Sequence, residues 1–519
     1  MSKRITRRRF VTSTTALACA PAALAGTPAA SAPQERPNIL VIHADQHRMD
    51  CLGAYGNTDI RTPHIDALAA DGARFDNSFC PYPVCTPSRY SLLCGQYVHQ
   101  HRGWTNHCTL APDIETFPRI LKRAGYRTKA VGKMHFTPTY LDVGFEEMVL
   151  SEQDGPGRWD DDYHRELQAH GLVDRNDLED QRSEYRQKAR PEYWDSFGAL
   201  PSNLPRAFHS TQWIGDRAVE ALEGWGGSGH LLMAGFIKPH HPFDPPKEWC
   251  DAYDPETLAL LPGWTEQCLP HDLALSKGYF PNDKLSEPAM RRVMAHYYAT
   301  LGQIDEQVGR MIAILKRKGL YDNALIVYTS DHGEYMGHHH MLLKGNYVYD
   351  PLAKVPLIVK YPGAREKGVV SDALVCNLDL APTILTQAGC APAPSMAGLD
   401  LAHDKQGRDV VFAEHRRGQH AMVRSKTHKL ILDHTGRRSL FYDIEKDPQE
   451  LDNRYDDAAY AGQRDSFIEK AGAWRRFSDL PDTYLDEWAP VIDQPNVPAR
   501  DDDHRERIIA YCQEKMGEG

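Results

Sequence analysis

Short runs of apolar residues, each ending in polar residues, recur along the first 400 positions of the chain. They cover residues 37–45, 230–237, 324–329 and 355–361. Apolar runs of this length are typical of buried strands. Segments with helical periodicity separate them, such as residues 304–318, whose apolar face is formed by Val308, Met311, Ile312 and Leu315. Strands that alternate with helices predict an α/β fold with a mostly parallel sheet covered on both faces.

The residues around position 62 carry the signals of a helix start. Thr62 is a favoured N-cap residue, Pro63 suits the first helical position, and Gly72 follows the last apolar position. We therefore expect a helix that begins at Pro63, ends before Gly72 and is capped by Thr62.

The pattern changes at two places along the chain. Residues 151–204 are polar with weak periodicity, which predicts an insertion on the rim of the main domain. After Gly398, three short strand patterns are followed by a helix, at residues 421–424, 429–432, 440–443 and 458–477. We expect a main domain over residues 33–400 and a smaller α+β domain, with a short antiparallel sheet and a helix, over residues 401–519.

The N-terminus has the pattern of an export signal. Residues 6–11 match the twin-arginine pattern, and a mildly apolar run follows to Ala25. We expect residues 1–32 to be a signal peptide and linker, so that the twin-arginine machinery exports the protein to the periplasm or beyond the cell. A basic tail without a targeting role is the alternative. No later run reaches the roughly 18 apolar residues of a membrane span, so no transmembrane segment is predicted.

Charge and cysteine content narrow the function classes. The chain has 60 Lys+Arg against 71 Asp+Glu and a formal net charge of -11, which argues against nucleic acid as a partner. An anionic substrate would have to be bound by a few local cations. The 11 cysteines include no C-x-x-C pair, which argues against a structural zinc site. The run His338–His340 does not predict one either, because three adjacent residues cannot all face one ion.

The most specific chemical signal is the segment Cys85-Thr86-Pro87-Ser88-Arg89. Pro87 suits the first turn of a helix, which would place Cys85 at a helix N-terminus, where free N–H groups and the helix dipole favour an anion. Arg89, one turn on, would face the same anion with a bidentate guanidinium group. A buried structural cysteine before a helix is the alternative interpretation of the same residues.

This segment resembles the C-x-P-x-R signature of sulfatases, with Gly95 at the position of the family's downstream glycine. Further segments resemble family motifs in the same order, over nearly the whole mature chain. They are Asp45-Gln46, Gly132-Lys133-Met134-His135, Pro239-His240-His241-Pro242-Phe243, Ser330-Asp331-His332-Gly333-Glu334, Gly337-His338, Lys344, residues 379–383 and residues 440–448. The chain is identified as a member of the formylglycine-dependent sulfatases, in the alkaline-phosphatase-like superfamily. This resemblance implies a large mixed sheet flanked by helices.

The resemblance also implies a covalent modification and a metal site. Cys85 would be converted to 3-oxoalanine, also called formylglycine, by a maturation enzyme, and one hydroxyl of its hydrate would attack sulfur. One divalent cation would be bound by Asp45, Gln46, the modified Cys85, Asp331 and His332.

The remaining motif residues would bind the sulfate ester and move protons. The cations expected to neutralise the sulfate oxygens are Arg89, Lys133 and Lys344. His135 is expected to orient the formylglycine diol or to accept its proton. His240 would contact the leaving oxygen, with Lys344 sharing the role of general acid. His241 is the alternative to His240 within the histidine pair.

Two positions depart from the commonest sulfatase pattern. Gln46 stands where many members have Asp, and His332 stands where many have Asn. This pair is similar to that of choline-sulfatase-like and phosphonate-monoester-hydrolase-like members. Calcium is the expected ion, and the exchange of a carboxylate for an imidazole makes manganese the alternative.

The expected function is hydrolysis of a sulfate monoester. A sulfated saccharide is the expected substrate, and an aryl sulfate or choline sulfate is the alternative. The segment around Lys133 favours sulfate, because an additional cation near the sulfuryl group suits a monoester. A phosphonate or phosphate mono- or diesterase of the same fold is the alternative. A third interpretation is an anion-binding protein without catalysis, in which Cys85 stays unmodified.

Overall fold

The computed structural model describes residues 36–155, 157–436, 438–474 and 503–517. The predicted signal peptide and linker lie outside the described residues. Among the helices that are described, none has both the length and the apolar character needed to cross a membrane. Most of the described cysteines are buried, and Cys250 and Cys390 are partly exposed.

A sheet of eight strands forms the centre of the main domain. The strands are β1 (Asn38–Asp45), β2 (Ala73–Phe79), β3 (Arg127–Gly132), β4 (Glu147–Leu150), β5 (His230–Pro239), β6 (Ala324–Ser330), β7 (Leu357–Lys360) and β8 (Val369–Cys376). They lie in the order β4-β3-β5-β1-β6-β7-β2-β8. Strand β7 is antiparallel to both of its neighbours, whereas the other pairs are parallel. The predicted α/β fold with a large mixed sheet is confirmed.

Helices flank this sheet and also lie in the C-terminal part of the chain. They are α1 (Pro63–Asp71), α2 (Cys85–Cys94), α3 (Val98–His101), α4 (Phe117–Arg123), α5 (Gly157–Asp160), α6 (Asp162–Ala169), α7 (Arg175–Gln181), α8 (Ser183–Arg186), α9 (Pro191–Asp195), α10 (Ser210–Glu223), α11 (Lys247–Cys250), α12 (Pro270–Leu275), α13 (Glu287–Arg317), α14 (Asp350–Ala353), α15 (Leu380–Gln387), α16 (Ala461–Trp474) and α17 (His504–Lys515). Single 3-10 turns lie at Gly53–Tyr55, Arg206–Phe208, Asn282–Lys284, Pro362–Ala364, Asn377–Asp379 and Ala458–Tyr460.

Both faces of the sheet are buried, which explains why its central strands are almost continuously apolar. On β1, Leu40 and Ile42 pack into the hydrophobic core on one face, while Ile39 and Val41 pack into the core on the other. Side chains alternate across a strand, so consecutive apolar residues are needed to serve both cores.

The strand register brings the polar motifs to one edge of the sheet. Strand β1 lies between β5 and β6, and its last residue Asp45 pairs with Pro239 of β5. On the other side of β5, the last residue of β3, Gly132, pairs with Gly235. Strand β6 ends at Ser330. The residues that follow these strand ends meet at the carboxyl edge, the usual location of sites in parallel α/β sheets.

Helix α1 spans the predicted residues and Thr62 is its N-cap residue, but the capping hydrogen bond expected from the Thr62 side chain is not formed. The Thr62 hydroxyl makes no capping bond to the helix and donates instead to Asp66 Oδ1 at 3.1 Å. The helix start is satisfied by the Asp305 carboxylate, which accepts from the backbone N–H groups of His64 at 3.0 Å and Ile65 at 2.7 Å. Asp305 lies on α13, so the cap comes from a distant part of the chain.

Helix α13 is longer than the segment predicted from periodicity. It begins at Glu287 rather than at residue 304, and its N-cap is Ser286, whose hydroxyl accepts from Ala289 N at 3.4 Å. Residues 293–305 are all buried. A helix that is buried all round shows no amphipathic stripe, which is why its first half was not predicted.

A second sheet lies in the C-terminal part of the chain. Its strands are β9 (Val411–His415), β10 (His420–Arg424), β11 (His428–Asp433) and β12 (Leu440–Asp443), in the antiparallel order β12-β11-β10-β9. Helix α16 packs on it through Phe467 and Ala471, which contact Val423, Leu430 and Phe441. The small antiparallel sheet with its helix is confirmed, whereas β9 and α17 were not predicted. The domain boundary near residue 400 stays a prediction.

Candidate active site

Cys85 is the first residue of helix α2, and its side chain is buried. The extended residue Val84 precedes it, so the chain turns into the helix at the cysteine. The helix ends at Gly95, whose φ of 65° is the left-handed conformation that favours glycine. Ser88 Oγ donates to the Asp331 carbonyl at 2.6 Å, which holds the helix start against the end of β6.

The thiol of Cys85 lies among the residues predicted to bind the metal. Its Sγ is 3.6 Å from Asp45 Oδ1, 3.3 Å from His332 Nε2 and 3.1 Å from Lys344 Nζ. Burial raises the pKa of this thiol to about 11, and the Asp45 charge acts in the same direction. The unmodified residue is therefore a neutral thiol near pH 7, which is a poor nucleophile.

Arg89 joins the two predicted metal-binding carboxylates. Its Nε lies 2.8 Å from Asp331 Oδ2, and its Nη2 lies 3.0 Å from Asp45 Oδ2. Its Nη1 donates to the Lys133 carbonyl at 2.6 Å. Burial would raise the pKa of Asp45, but the charges of Lys133, Arg89 and Lys344 hold it well below its usual value. The guanidinium group thus keeps both carboxylates ionised and aligned, and its own nitrogens are all engaged.

Lys133 reaches the site because β3 runs very close to β5. Gly132 has a φ of 87°, and a Cβ at this position would lie 2.1 Å from the Gly235 carbonyl oxygen, so only glycine fits. Beyond it, Lys133 Nζ lies 2.8 Å from Asp45 Oδ2 and 3.2 Å from Gln153 Oε1. A buried ammonium group is thereby placed beside the carboxylates.

The donor set fits a divalent cation. The donor atoms that lie within 4.8 Å of one another belong to Asp45, Cys85, Asp331 and His332. His332 Nδ1 lies 2.9 Å from the Gly333 carbonyl, an acceptor, so Nδ1 carries the proton and Nε2 presents a lone pair. That lone pair lies 3.8 Å from Asp45 Oδ1 and 3.9 Å from Asp331 Oδ1. Two anionic oxygens and an oriented imidazole suit one such ion.

Gln46 presents its amide oxygen to the same cluster. Its Nε2 donates to Glu334 Oε2, and its Oε1 lies 3.1 Å from Lys344 Nζ. Glu334 is fully buried, and its Oε1 accepts from the backbone N–H groups of Met336, at 3.1 Å, and Leu343. Burial raises the pKa of Glu334, which the bonds from Met336 and Gln46 oppose. Because this carboxylate accepts three N–H groups, it determines which end of the Gln46 amide faces the cluster.

Lys344 connects the metal-binding cluster to the histidine pair. Its Nζ lies 3.0 Å from His332 Nε2 and 3.1 Å from His240 Nε2. His240 Nδ1 faces the His241 carbonyl at 2.8 Å, so Nε2 is the unprotonated nitrogen and accepts from the ammonium group. Burial and the Lys344 charge lower the pKa of His240 well below its usual value. His241 turns to Asp180 Oδ2, 2.5 Å from its Nδ1, so His240 is the histidine next to Lys344.

His135 lies beside the site, and no hydrogen bond joins it to Cys85 in the described part of the chain. Its carbonyl accepts from Thr86 Oγ1 at 2.8 Å, and its N–H donates to Glu152 Oε1 at 2.9 Å. Both ring nitrogens are buried and have no hydrogen-bond partner in the described part of the chain. The predicted role of His135 toward formylglycine stays a prediction.

The histidine run does not converge on one ion. His340 Nδ1 lies 2.7 Å from the Thr265 carbonyl, whereas His339 Nδ1 lies 3.2 Å from Asp272 Oδ2. Of the three, His339 belongs to a second group of neighbouring donor atoms, with His271 and Asp272.

The chain matches sequence models of known protein families. A sequence model of the sulfatase family matches residues 37–390. The chain belongs to the sulfatase family. A model described as N-sulphoglucosamine sulphohydrolase, C-terminal, matches residues 337–473. The resemblance inferred from the motifs is confirmed, and the chain is an enzyme of the class that hydrolyses sulfate esters.

Sulfatases with curated names align along most of the chain. An arylsulfatase of Clostridium perfringens is 30% identical over 466 residues, covering 82% of this chain and 91% of that protein. An N-acetylglucosamine-6-O-sulfatase of Bacteroides thetaiotaomicron is 27% identical over 485 residues, covering 84% and 85%. The crystal structure of a phosphonate monoester hydrolase of Agrobacterium radiobacter matches with a TM-score of 0.71 at 24% identity, covering 84% and 94%. This likeness confirms the alkaline-phosphatase-like fold.

Some residues that contact the sulfatase site were not predicted from the sequence. Glu334 belongs to a recognised motif, so its position was available as a signal. Gln153, which contacts Lys133, and Asn106, whose Oδ1 accepts from Thr86 N at 3.1 Å, lie in polar loops without a recognisable pattern.

Proposed function

We propose that this sulfatase hydrolyses sulfate monoesters with a formylglycine formed from Cys85. The observation that carries the proposal is the place of the thiol, at a helix start and within 3.6 Å of Asp45, His332 and Lys344. The thiol stands in for the oxygens of the modified side chain, which would meet the same neighbours. A maturation enzyme is then a required partner.

A divalent cation is the proposed cofactor, held by Asp45, Gln46, Asp331, His332 and the modified residue 85. Its chemistry would be to acidify the attacking hydroxyl and to polarise the sulfate group. Calcium is the proposed ion and manganese the alternative, because one amide oxygen and one imidazole accompany the two carboxylates.

The side chains around residue 85 would then have separate roles in bond formation, proton transfer and charge stabilisation. The hydrate of the modified residue 85 would supply a hydroxyl that forms a bond to sulfur while the ester S–O bond breaks and the alcohol leaves. The proton of this hydroxyl would pass through Lys344, whose Nζ lies 3.1 Å from Cys85 Sγ, toward the leaving oxygen. His240 and Lys344, whose nitrogens are 3.1 Å apart, are placed to supply the proton that the leaving oxygen needs. His135 is the proposed acceptor of the proton of the second hydroxyl. Loss of that proton would break the C–O bond to sulfate, release sulfate and restore the aldehyde, which water then hydrates again. Lys133 offsets charge on the sulfate oxygens.

The proposed substrate is a sulfated saccharide, and the proposed location is outside the cytoplasm. The saccharide is supported by the relative named N-acetylglucosamine-6-O-sulfatase. The alignment with this chain covers 85% of that protein. Export by the twin-arginine route is supported by the sequence of residues 6–25 alone. An aryl sulfate is the alternative substrate.

A phosphonate or phosphate mono- or diesterase is the second candidate function. The observation that favours it is the pair of neutral side chains Gln46 and His332 among the predicted metal ligands. Gln46 Oε1 and His332 Nε2 both lie next to Lys344 Nζ. The same pair resembles that of phosphonate-monoester-hydrolase-like members, which makes phosphorus esters the alternative substrates.

The test is a set of kcat/KM values for an aryl sulfate, N-acetylglucosamine 6-sulfate, a phosphodiester and a phosphonate monoester. The protein is produced with a maturation enzyme, and Cys85→Ala is measured beside it. We expect preference for a sulfate ester and no turnover by Cys85→Ala. Preference for a phosphorus ester would favour the second candidate. Retention of more than a few per cent of the activity in Cys85→Ala would contradict the formylglycine mechanism.

A further inference from the structure

The turn that joins β9 to β10 has a strained backbone. Arg416, Arg417 and Gly418 have φ angles of 52°, 53° and 78°, so three consecutive residues are left-handed. Glycine adopts this conformation readily, whereas a residue with a Cβ is disfavoured there. Strained residues persist where the surrounding structure holds them, and they cluster at ligand-binding sites.

One side of this turn packs against the segment that leads to Cys85. Arg417 N donates to Tyr82 OH at 3.0 Å, and Tyr82 lies three residues before Cys85. The Tyr82 ring also meets the His415 ring edge-on, with centroids 5.6 Å apart. Burial lowers the pKa of His415 to about 3, and the nearby charge of Arg416 acts in the same direction. The turn therefore packs against the segment that leads into Cys85.

The other side of the turn packs against the segment that carries Lys344. The ring of Tyr347, three residues after Lys344, stacks on His420 with centroids 5.2 Å apart and planes 7° apart. Burial raises the pKa of Tyr347 to about 12, which the charges of Arg438 and Arg416 oppose. Arg438 lies on the same side, because its backbone N–H donates to Asp433 Oδ2 at 3.2 Å and Asp433 pairs with His420 in the sheet.

Arg416 and Arg438 carry charges that the described residues do not neutralise. Neither guanidinium group has a hydrogen bond or an ion pair within the described part of the chain, and Arg438 is exposed while Arg416 is partly exposed. The acids on the same strands are engaged elsewhere: Glu414 with His99 at 2.6 Å, and Asp433 with its own turn at Thr435. In a chain with a formal net charge of -11, two such cations near the site are conspicuous.

We propose that Arg416, with Arg438 beside it, binds a second anionic group of the substrate while the scissile sulfate lies at Cys85. This inference rests on the proposed function and narrows the substrate to a saccharide with at least two anionic groups. A guanidinium group binds a carboxylate, or a tetrahedral oxyanion such as phosphate or sulfate, with two parallel hydrogen bonds, so the second group is an oxyanion of this kind. The strained turn holds Arg416 in place before the substrate arrives.

Calorimetric binding to the Cys85→Ala protein tests the second subsite without turnover. The probes are α,ω-alkanediol bis-sulfates of increasing chain length, the monosulfates of equal length, and ω-carboxyalkyl sulfates. At one spacer length the bis-sulfate should bind on the order of tenfold tighter than the monosulfate, and high salt should reduce this difference. The carboxyalkyl series shows whether a carboxylate serves as well as a sulfate.

The deciding variant is Arg416→Gly, which keeps the left-handed turn and removes the guanidinium group. It should abolish the advantage of the bis-sulfate, Arg438→Ala should reduce it, and Arg416→Lys should restore part of it. The control is Arg127→Ala, an exposed cation at the far end of β3 from Lys133. Equal binding of mono- and bis-sulfates at every length, or an advantage that survives in Arg416→Gly/Arg438→Ala, would overturn the proposal. Failure of the proposed function would show separately, as absence of sulfate-ester turnover in the wild-type enzyme.

Discussion

Replacing Glu334 by glutamine tests whether the orientation of Gln46 matters for metal binding. Glu334 accepts from the N–H groups of Met336 and Leu343 with one oxygen and from Gln46 Nε2 with the other. A glutamine has the same shape but only one accepting oxygen and an NH2 group. If that oxygen keeps accepting from the two backbone N–H groups, the new NH2 group faces the NH2 group of Gln46. Two donors then point at each other and no hydrogen bond forms. Gln46 would then rotate and turn its own NH2 group toward the cation.

The expected magnitude follows from the lost ligand. A partner that orients a metal ligand is typically worth about 10–100-fold in metal affinity. This corresponds to about 1.4–2.7 kcal/mol, since each tenfold step is about 1.4 kcal/mol. We expect Glu334→Gln to fall in this range, because Gln46 Oε1 would be replaced by a group that repels a cation.

The assay is isothermal titration calorimetry, in which the metal-free protein is titrated with Ca²⁺ and with Mn²⁺ and the metal affinity is measured. Gln46→Ala supplies the matched background, in which Glu334→Gln should have little further effect on affinity. Wild-type affinity in Glu334→Gln would refute the reasoning. An equal loss in both backgrounds would also refute it, because Glu334 would then act through the backbone of residues 336–343 alone.

Three further variants give distinct outcomes. Asp331→Ala should lose metal content and rate together, and elemental analysis that shows full occupancy would contradict its assignment. Lys133→Ala should lower kcat/KM for a sulfate ester by about a hundredfold, or about 3 kcal/mol, and that for a phosphodiester far less. Equal losses would remove the reason for preferring sulfate. Lys429→Met should lower the free energy of unfolding by about 3–5 kcal/mol, because Lys429 Nζ pairs with Asp350 at 2.8 Å and with the buried Glu450 at 2.7 Å. A loss under about 1 kcal/mol in denaturant titration would show that the pair is dispensable.

The strands that could be predicted are those with a simple burial pattern. Strands β1, β5 and β6 are buried throughout, so each appears in the sequence as a continuous apolar run. Strand β8 forms one edge of the sheet, and its first residues Val369 and Val370 are 37% and 55% exposed. Strand β2 mixes buried and partly buried positions because Arg74, Asp76 and Asn77 lie within it. Neither strand has a pattern that distinguishes it from a loop.

Much of the candidate site could be predicted because its motifs follow strand ends that share one edge of the sheet. What could not be predicted are contacts between residues far apart in the chain. Asp180 bonds to His241, Gln153 bonds to Lys133, and Asp305 caps a helix that begins at Pro63. Local sequence shows that a polar residue is present but not which distant group it meets.

The central claim is that Cys85 is converted to formylglycine before it acts on a sulfate ester. The most direct measurement is the mass of the peptide that spans Cys85, taken from protein that has been shown to hydrolyse an aryl sulfate. Conversion replaces the thiol by an aldehyde and should lower the mass by about 18 Da, with the converted fraction rising in step with kcat among preparations. Full sulfatase activity in protein whose Cys85 peptide keeps the unmodified mass would contradict the claim.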